Sequence, residues 1–278
     1  MATQPSVNAA CTRWLSAFVL SLFCGFLHAA DLLPDPNTAI WAKVRASLFH
    51  DRSIADSADQ FIAFTLPARA EDAAVVPIRI AARTPQQPER FIKTVYLVID
   101  NNPSPVAAVF HLTPAAGRAD LETRVRVEAY TYVRAIVETN DGKLYMTRHF
   151  IKASGGCSAP AGADPAAAQQ GLGKMKLILE DTPQIDKPSL VQLMIRHPNT
   201  SGLAVDQITH LSAPPRFIRK IDVRYAGEPI MQAEVDFSVS ENPNFRFYFT
   251  PRGSGELTAV AEDTSDMVFR TTLAVRPQ

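Results

Sequence analysis

Apolar residues recur along this chain with two different periods, and the change from one to the other predicts its architecture. After the cap-forming stretch Asp35-Pro36-Asn37-Thr38, apolar side chains fall at Ile40, Trp41, Val44 and Leu48, three or four positions apart. That spacing predicts one amphipathic helix. Beyond it the period shortens to that of strands. Runs over 61–66, 75–80, 93–99 and 106–110 are short and apolar, with Pro, Asn or Gly at their boundaries. Over 123–129, Val125, Val127 and Ala129 alternate with Arg124, Arg126 and Glu128, which predicts a strand with one apolar and one solvated face. Runs over 131–139 and 143–151 flank Asn140-Asp141-Gly142, a strong hairpin signal. About seven strands with no helix between them predict an antiparallel β-sandwich.

Composition then shifts. Residues 154–173 read SGGCSAPAGADPAAAQQGLG, with one Asp as the only charge and little to bury except Leu172. This is the composition of a flexible or extended linker. A second set of strand-like runs follows over 174–179, 190–195, 217–225, 230–239, 244–249, 257–261 and 267–275, predicting a second sandwich. The halves resemble each other. Phe91-Ile92-Lys93-Thr94-Val95 has a counterpart in Phe217-Ile218-Arg219-Lys220-Ile221, and Ala135-Ile136-Val137-Glu138 has one in Ala259-Val260-Ala261-Glu262, at offsets of 126 and 124. The expected organisation is therefore all-β: a β-sandwich over 31–153 with a short N-terminal helix, a flexible Gly/Ala/Pro linker over 154–173 and a β-sandwich over 174–278.

Residues 1–30 have the layout of a secretory signal peptide. A short leading region with Arg13 precedes the apolar run Trp14–Leu27, and the small residues Ala29 and Ala30 then meet Asp31. No Arg-Arg pair precedes the run, so export in the unfolded state by a Sec-type route is expected, with no membrane span after cleavage. Lys and Arg total 28 against 28 for Asp and Glu. Phosphate-backbone binding needs a basic excess, so nucleic acid is not an expected partner. Cleavage after Ala30 removes Cys11 and Cys24 and leaves Cys157 as the one cysteine of the mature chain.

The remaining motifs exclude most catalytic chemistry. His50, His111, His149, His197 and His210 form no HxH or HxxxH pair, and no Cys-x-x-Cys occurs, so no metal is expected and each His is read as a surface or half-buried side chain. No G-x-S-x-G is present. Cys157 lies in a Gly- and Ala-rich stretch, whereas a catalytic nucleophile must hold a fixed position relative to its base. Gly155-Gly156-Cys157-Ser158 suits covalent carriage instead. Glycine accepts almost any backbone conformation, so Gly155 and Gly156 are expected to form a flexible arm that threads the thiol into a partner's site. Such a thiol is expected to be exposed, to titrate near the ordinary value of about 8.5, and to form disulfide-linked dimers on air oxidation.

These residues also resemble a known family. VPIRIAA (76–82) and YLVIDNNPSPVAAVF (96–110), followed by the Ser154-Gly155-Gly156-Cys157 arm, resemble SoxY, the subunit of the sulfur-oxidation carrier that binds its substrate through an arm cysteine. IRHPNTSG (195–202), FIRKIDVRYAGEPI (217–230) and VSENPNFRFYFTPRGSGELTAVAED (239–263) are similar to its partner SoxZ. Both in one chain resemble the fused SoxYZ-like carriers associated with quinoprotein dehydrogenases. The resemblance implies immunoglobulin-like sandwiches in both halves, a periplasmic location, no cofactor and no turnover catalysis. It implies a thiosulfate-like intermediate held covalently on Cys157, with sulfur-oxidation enzymes of the periplasm as partners. The family association implies an alternative, a non-catalytic accessory module for a periplasmic PQQ-dependent quinoprotein alcohol dehydrogenase. One departure stands out: in SoxY the arm ends the chain with two glycines, whereas here Ser158-Ala159-Pro160 follows and the thiol is held at both ends.

Overall fold

Fifteen strands and one α-helix are laid out in the computed structural model, which describes residues 33–159, 170–205 and 210–278. The first half holds α1 (Ala39–Phe49), β1 (Ile54–Ala55), β2 (Ile62–Thr65), β3 (Val76–Ala82), β4 (Ile92–Ile99), β5 (Val106–Leu112), β6 (Leu121–Val125), β7 (Thr131–Thr139) and β8 (Leu144–Ile151). The second holds β9 (Met175–Leu179), β10 (Ser189–Ile195), β11 (Ile218–Tyr225), β12 (Glu228–Val235), β13 (Asn244–Phe249), β14 (Gly255–Asp263) and β15 (Val268–Val275). The expected signal segment 1–30 and the middle of the expected linker, 160–169, lie outside the described residues. No described helix is long and apolar enough to cross a membrane.

The all-β sandwich expected from the period-2 runs is what forms, and alternation explains it: along β3 the buried Val76, Ile78 and Ile80 alternate with the exposed Pro77 and Arg79. The two halves share their sheets. One runs β1-β8-β7-β4-β5-β12-β11-β14-β15 and the other β2-β3-β6-β13-β10-β9. The first is joined across the halves by β5 and β12, antiparallel from Ala108 opposite Val235 to Leu112 opposite Met231. The second is joined by β6 and β13, where Leu121 faces Phe247 and Glu122 faces Arg246. Apart from the short β1, each order reads the same from either end with first-half and second-half strands exchanged. The sequence repeat is the trace of this arrangement, since β4 and β11 begin 126 residues apart and β7 and β14 begin 124 apart. One apolar core runs through both halves, with Phe110 against Phe245 at 6.1 Å between ring centroids. On the outer face Glu122 pairs with Arg246 at 3.2 Å across the seam.

Strand β7 is buried on both faces because α1 covers the side away from the sandwich. Val133, Ala135 and Val137 enter the main core, while Ile136 packs with Trp41, Phe49, Val98, Leu144 and Met146 beneath the helix. Thr38 caps α1 by accepting a hydrogen bond from the Trp41 amide at 3.0 Å. Arg134 and Asp100, each 1% exposed, form a bidentate pair at 2.6 and 2.8 Å. The Arg134 guanidinium lies 4.3 Å from the Trp41 ring centroid and also donates to the Pro36 carbonyl.

Two sequence expectations are corrected at the end of β6. The strand expected over 123–129 keeps regular pairing only to Val125. Arg126, expected on a solvated face, is buried. The reason is that residues 126–128 leave the sheet to pair with the segment after β8 and with the loop after β12.

Candidate functional site

The segment that follows β8 is fastened at successive residues. The Lys152 amide donates to the Ala68 carbonyl at 2.9 Å, Gly155 to Glu128 at 2.8 Å and Gly156 to Val127 at 3.0 Å. Glu128 then clamps the cysteine. Its Oε2 accepts from the Cys157 amide at 2.8 Å and the Ser158 amide at 3.1 Å, and its Oε1 accepts from the Ser158 hydroxyl at 2.8 Å. From the other half, the Ser201 hydroxyl donates to the Cys157 carbonyl at 2.5 Å. The cysteine is therefore seated at the seam, with holders from both halves.

The two glycines have different tasks here. Gly155 sits at φ +80°, a left-handed conformation that L side chains rarely adopt. Gly156 is packed so tightly that a Cβ on it would lie 2.0 Å from the Ala73 carbonyl oxygen and 2.8 Å from the Val127 nitrogen. Glycine at 156 permits a close approach of two backbones.

Expectations for the thiol are corrected accordingly. Cys157 is 1% exposed, so the docked arm does not offer it for a disulfide-linked dimer. Burial, reinforced by the Glu128 carboxylate and less strongly by Asp236, pushes the thiol up to about 12, against the opposing pull of Arg126. A thiol is reactive as its thiolate, and about one in 10⁵ is ionised at pH 7 with such a value.

Arg126 is the cation beside this seat. Its guanidinium donates to second-half carbonyls, those of Asn199 at 2.7 Å, Phe237 at 2.8 Å and Val239 at 3.0 Å. Burial lowers its pKa while Cys157 and Glu241 oppose the shift, and guanidinium keeps its proton in any case. Asn102 ties the same strand down, donating to the Arg126 carbonyl at 2.8 Å and to Ser238 Oγ at 3.0 Å, and accepting from the Glu128 amide at 2.9 Å. Asn199 continues the network: it donates from its amide to His197 Nδ1 at 3.0 Å and from its side chain to the Val239 carbonyl at 3.1 Å. That bond makes Nδ1 of His197 the acceptor, so its Nε2 carries the proton toward Asp263 at 3.4 Å. Burial holds His197 below its ordinary value despite Asp263. At 1% exposed it corrects the expectation of a surface or half-buried imidazole.

Sequence reasoning located Cys157 and its glycines but not their holders. Arg126 and Glu128 carry no local sign because alternation assigned them to solvent, and Asn199 and Ser201 stand out only within IRHPNTSG. Among the described residues no group of three or more His, Cys, Asp or Glu is placed to hold a metal.

A pH dependence follows from the raised thiol. The docked thiol keeps its proton up to about 12, whereas a freed one loses it near 8.5. Docking is therefore fully stable below about pH 8.5 and weakens above it, by up to tenfold in equilibrium constant per pH unit. Hydrogen exchange of the Gly155–Ser158 amides, corrected for intrinsic rate, is expected to stay level to about that pH and then accelerate. In Cys157→Ser it is expected to stay level throughout.

Comparison with known proteins falls on the same residues. The family model of sulfur oxidation protein SoxY matches residues 45–157, and that of sulphur oxidation protein SoxZ matches 177–274. No curated protein matches the chain. Among solved structures, the sulfur carrier protein SoxY from Chlorobium limicola f thiosulfatophilum is similar at 24% identity and a TM-score of 0.34, over 41% of this chain and 96% of that one. The superoxide reductase (neelaredoxin) from Ignicoccus hospitalis is similar at 14% identity and a TM-score of 0.31, over 35% of this chain and 87% of that one. Structural likeness at this level spans proteins of unrelated chemistry and carries no functional weight. The two family models, in tandem and in order, do: the chain is a fused SoxYZ-like protein, with a SoxY domain followed by a SoxZ domain.

Proposed function

We propose that this protein is a non-catalytic carrier of the periplasm that holds a thiosulfate-like sulfur-oxidation intermediate on Cys157 and presents it to sulfur-oxidation enzymes. The observation that carries this reading is the position of Cys157. The SoxY match ends at that residue, and both halves close on it through Glu128 and Ser201. The chemistry supports storage in the docked arm and reaction away from it. A buried thiol held near 12 is a poor nucleophile and a poor target for oxidants, as suits a free thiol in an oxidising compartment. Loading and unloading belong to the released arm, where the thiol regains an ordinary pKa. From Lys152 a fully extended segment brings Cys157 roughly 17 Å from the first half, with the chain still attached on its far side.

Cys157→Ser tests the proposal. The variant is expected to fold normally, since serine fits the seat, and to lose all covalent sulfur and all support for oxidation of the sulfur substrate in cells. Full support by the serine variant would contradict the carrier role and favour an accessory module of a quinoprotein alcohol dehydrogenase.

A further inference from the structure

Glu128 combines two jobs that conflict once Cys157 bears a charge. It is the side-chain latch of the arm, accepting hydrogen bonds from the Cys157 amide, the Ser158 amide and the Ser158 hydroxyl. It is also a carboxylate 2.8 Å from the Cys157 amide, at a residue that is 1% exposed. The other charged groups acting on the Cys157 thiol are Arg126 and Asp236. Arg126 is already shared among the carbonyls of Asn199, Phe237 and Val239. Asp236 has one buried carboxylate oxygen with no hydrogen-bond partner among the described residues. With Glu128 hydrogen-bonded at the cysteine itself, Arg126 engaged elsewhere and Cys157 1% exposed, the seat fits a neutral side chain and opposes an anion.

We propose that Glu128 acts as a positioning residue that makes docking of the arm depend on the charge at Cys157: the neutral thiol is held in the seat and an anionic adduct is driven out. This rests on Cys157 being the attachment point. It supplies what a carrier held at both ends requires, a reason for the loaded arm to stand exposed to its enzymes and for the unloaded arm to return. The direction of the thiol's own titration agrees, since burial and Glu128 both oppose its ionisation. Charge alone decides the exchange, so no covalent step or oxidant is needed for release itself.

The test places charge at the sulfur position without any sulfur chemistry. Cys157→Asp and Cys157→Asn are nearly the same size and differ by one negative charge. In the full mature chain at pH 7.5, hydrogen exchange of the amides at 155–158 is expected to be at least tenfold faster in the Asp variant than in the Asn variant. The amides of β4 and β11 serve as an unchanged internal standard. Repeating the pair in a Glu128→Gln background is expected to shrink that ratio at least threefold, and comparing the two ratios isolates the Glu128 contribution even though Gln weakens docking in both. Asp and Asn variants within twofold of each other would overturn the proposal, as would a ratio that Glu128→Gln leaves unchanged. Neither variant can be loaded, so the result is independent of cargo: absence of any adduct on wild-type Cys157 would overturn the carrier reading and leave the charge response standing.

Discussion

Replacing Gly156 by alanine is expected to raise the rate at which a small neutral alkylating reagent modifies Cys157 by roughly 10–100-fold at pH 7.5. The added Cβ would lie 2.0 Å from the Ala73 oxygen, 2.6 Å from the Ala73 carbonyl carbon and 2.8 Å from the Val127 nitrogen. All three are backbone atoms, held in place by the Val127–Ala73 hydrogen bond of 2.8 Å. Overpacking of this kind costs about 1–3 kcal/mol, and each 1.4 kcal/mol is about tenfold in the population of the released arm. Gly155→Ala is the comparison. A Cβ there meets nothing within 4 Å, but φ is +80°, so the cost is conformational, about 1–2 kcal/mol, and the increase should be smaller. Neither residue pairs within the two sheets, so global unfolding should shift little. Alkylation as slow in Gly156→Ala as in the wild type would mean that the arm does not depend on the close approach described here.

The second large effect is on stability. Asp100→Ala is expected to lower the unfolding free energy by about 3–5 kcal/mol, a large part of the roughly 5–15 kcal/mol available to a typical domain. The substitution leaves the Arg134 guanidinium 1% exposed with no carboxylate, between Trp41 and the Pro36 carbonyl. Urea unfolding followed by tryptophan fluorescence reads it directly, because Trp41 is the one tryptophan remaining once residues 1–30 are removed. Replacing Asp100 and Arg134 together by leucine is expected to recover most of the loss, since a buried pair contributes less than the isolated charge costs. A loss below 1 kcal/mol in Asp100→Ala would show that Arg134 reaches water and that the seating of α1 differs.

How much of this was legible in the chain depends on how local each cause is. Strands announce themselves because burial on one face requires alternation within a few residues, as in Val76, Ile78 and Ile80. The repeat offsets of 126 and 124 marked β4 with β11 and β7 with β14, and hence the matched halves. Nothing local marked their fusion, because β5 meets β12 across more than a hundred residues and an edge strand that will be paired reads like any other. The site divides in the same way. A cysteine flanked by glycines in a charge-poor stretch is visible at once. Whether those glycines bend or fit is not, because the atoms that exclude a side chain at 156 belong to Ala73 and Val127. Arg126 and Glu128 were assigned to solvent by extending the alternation of β6 beyond Val125, where the chain leaves the sheet to hold the arm.

The proposed carrier role is tested most directly by the intact mass of the protein, taken without reductant from cells supplied with a reduced inorganic sulfur compound, followed by mapping of the peptide that contains Cys157. The expected result is a population bearing a sulfane or thiosulfonate adduct on that residue, removable by reductant. An unmodified Cys157 throughout, in cells where the protein is abundant and the sulfur compound is being oxidised, would contradict it.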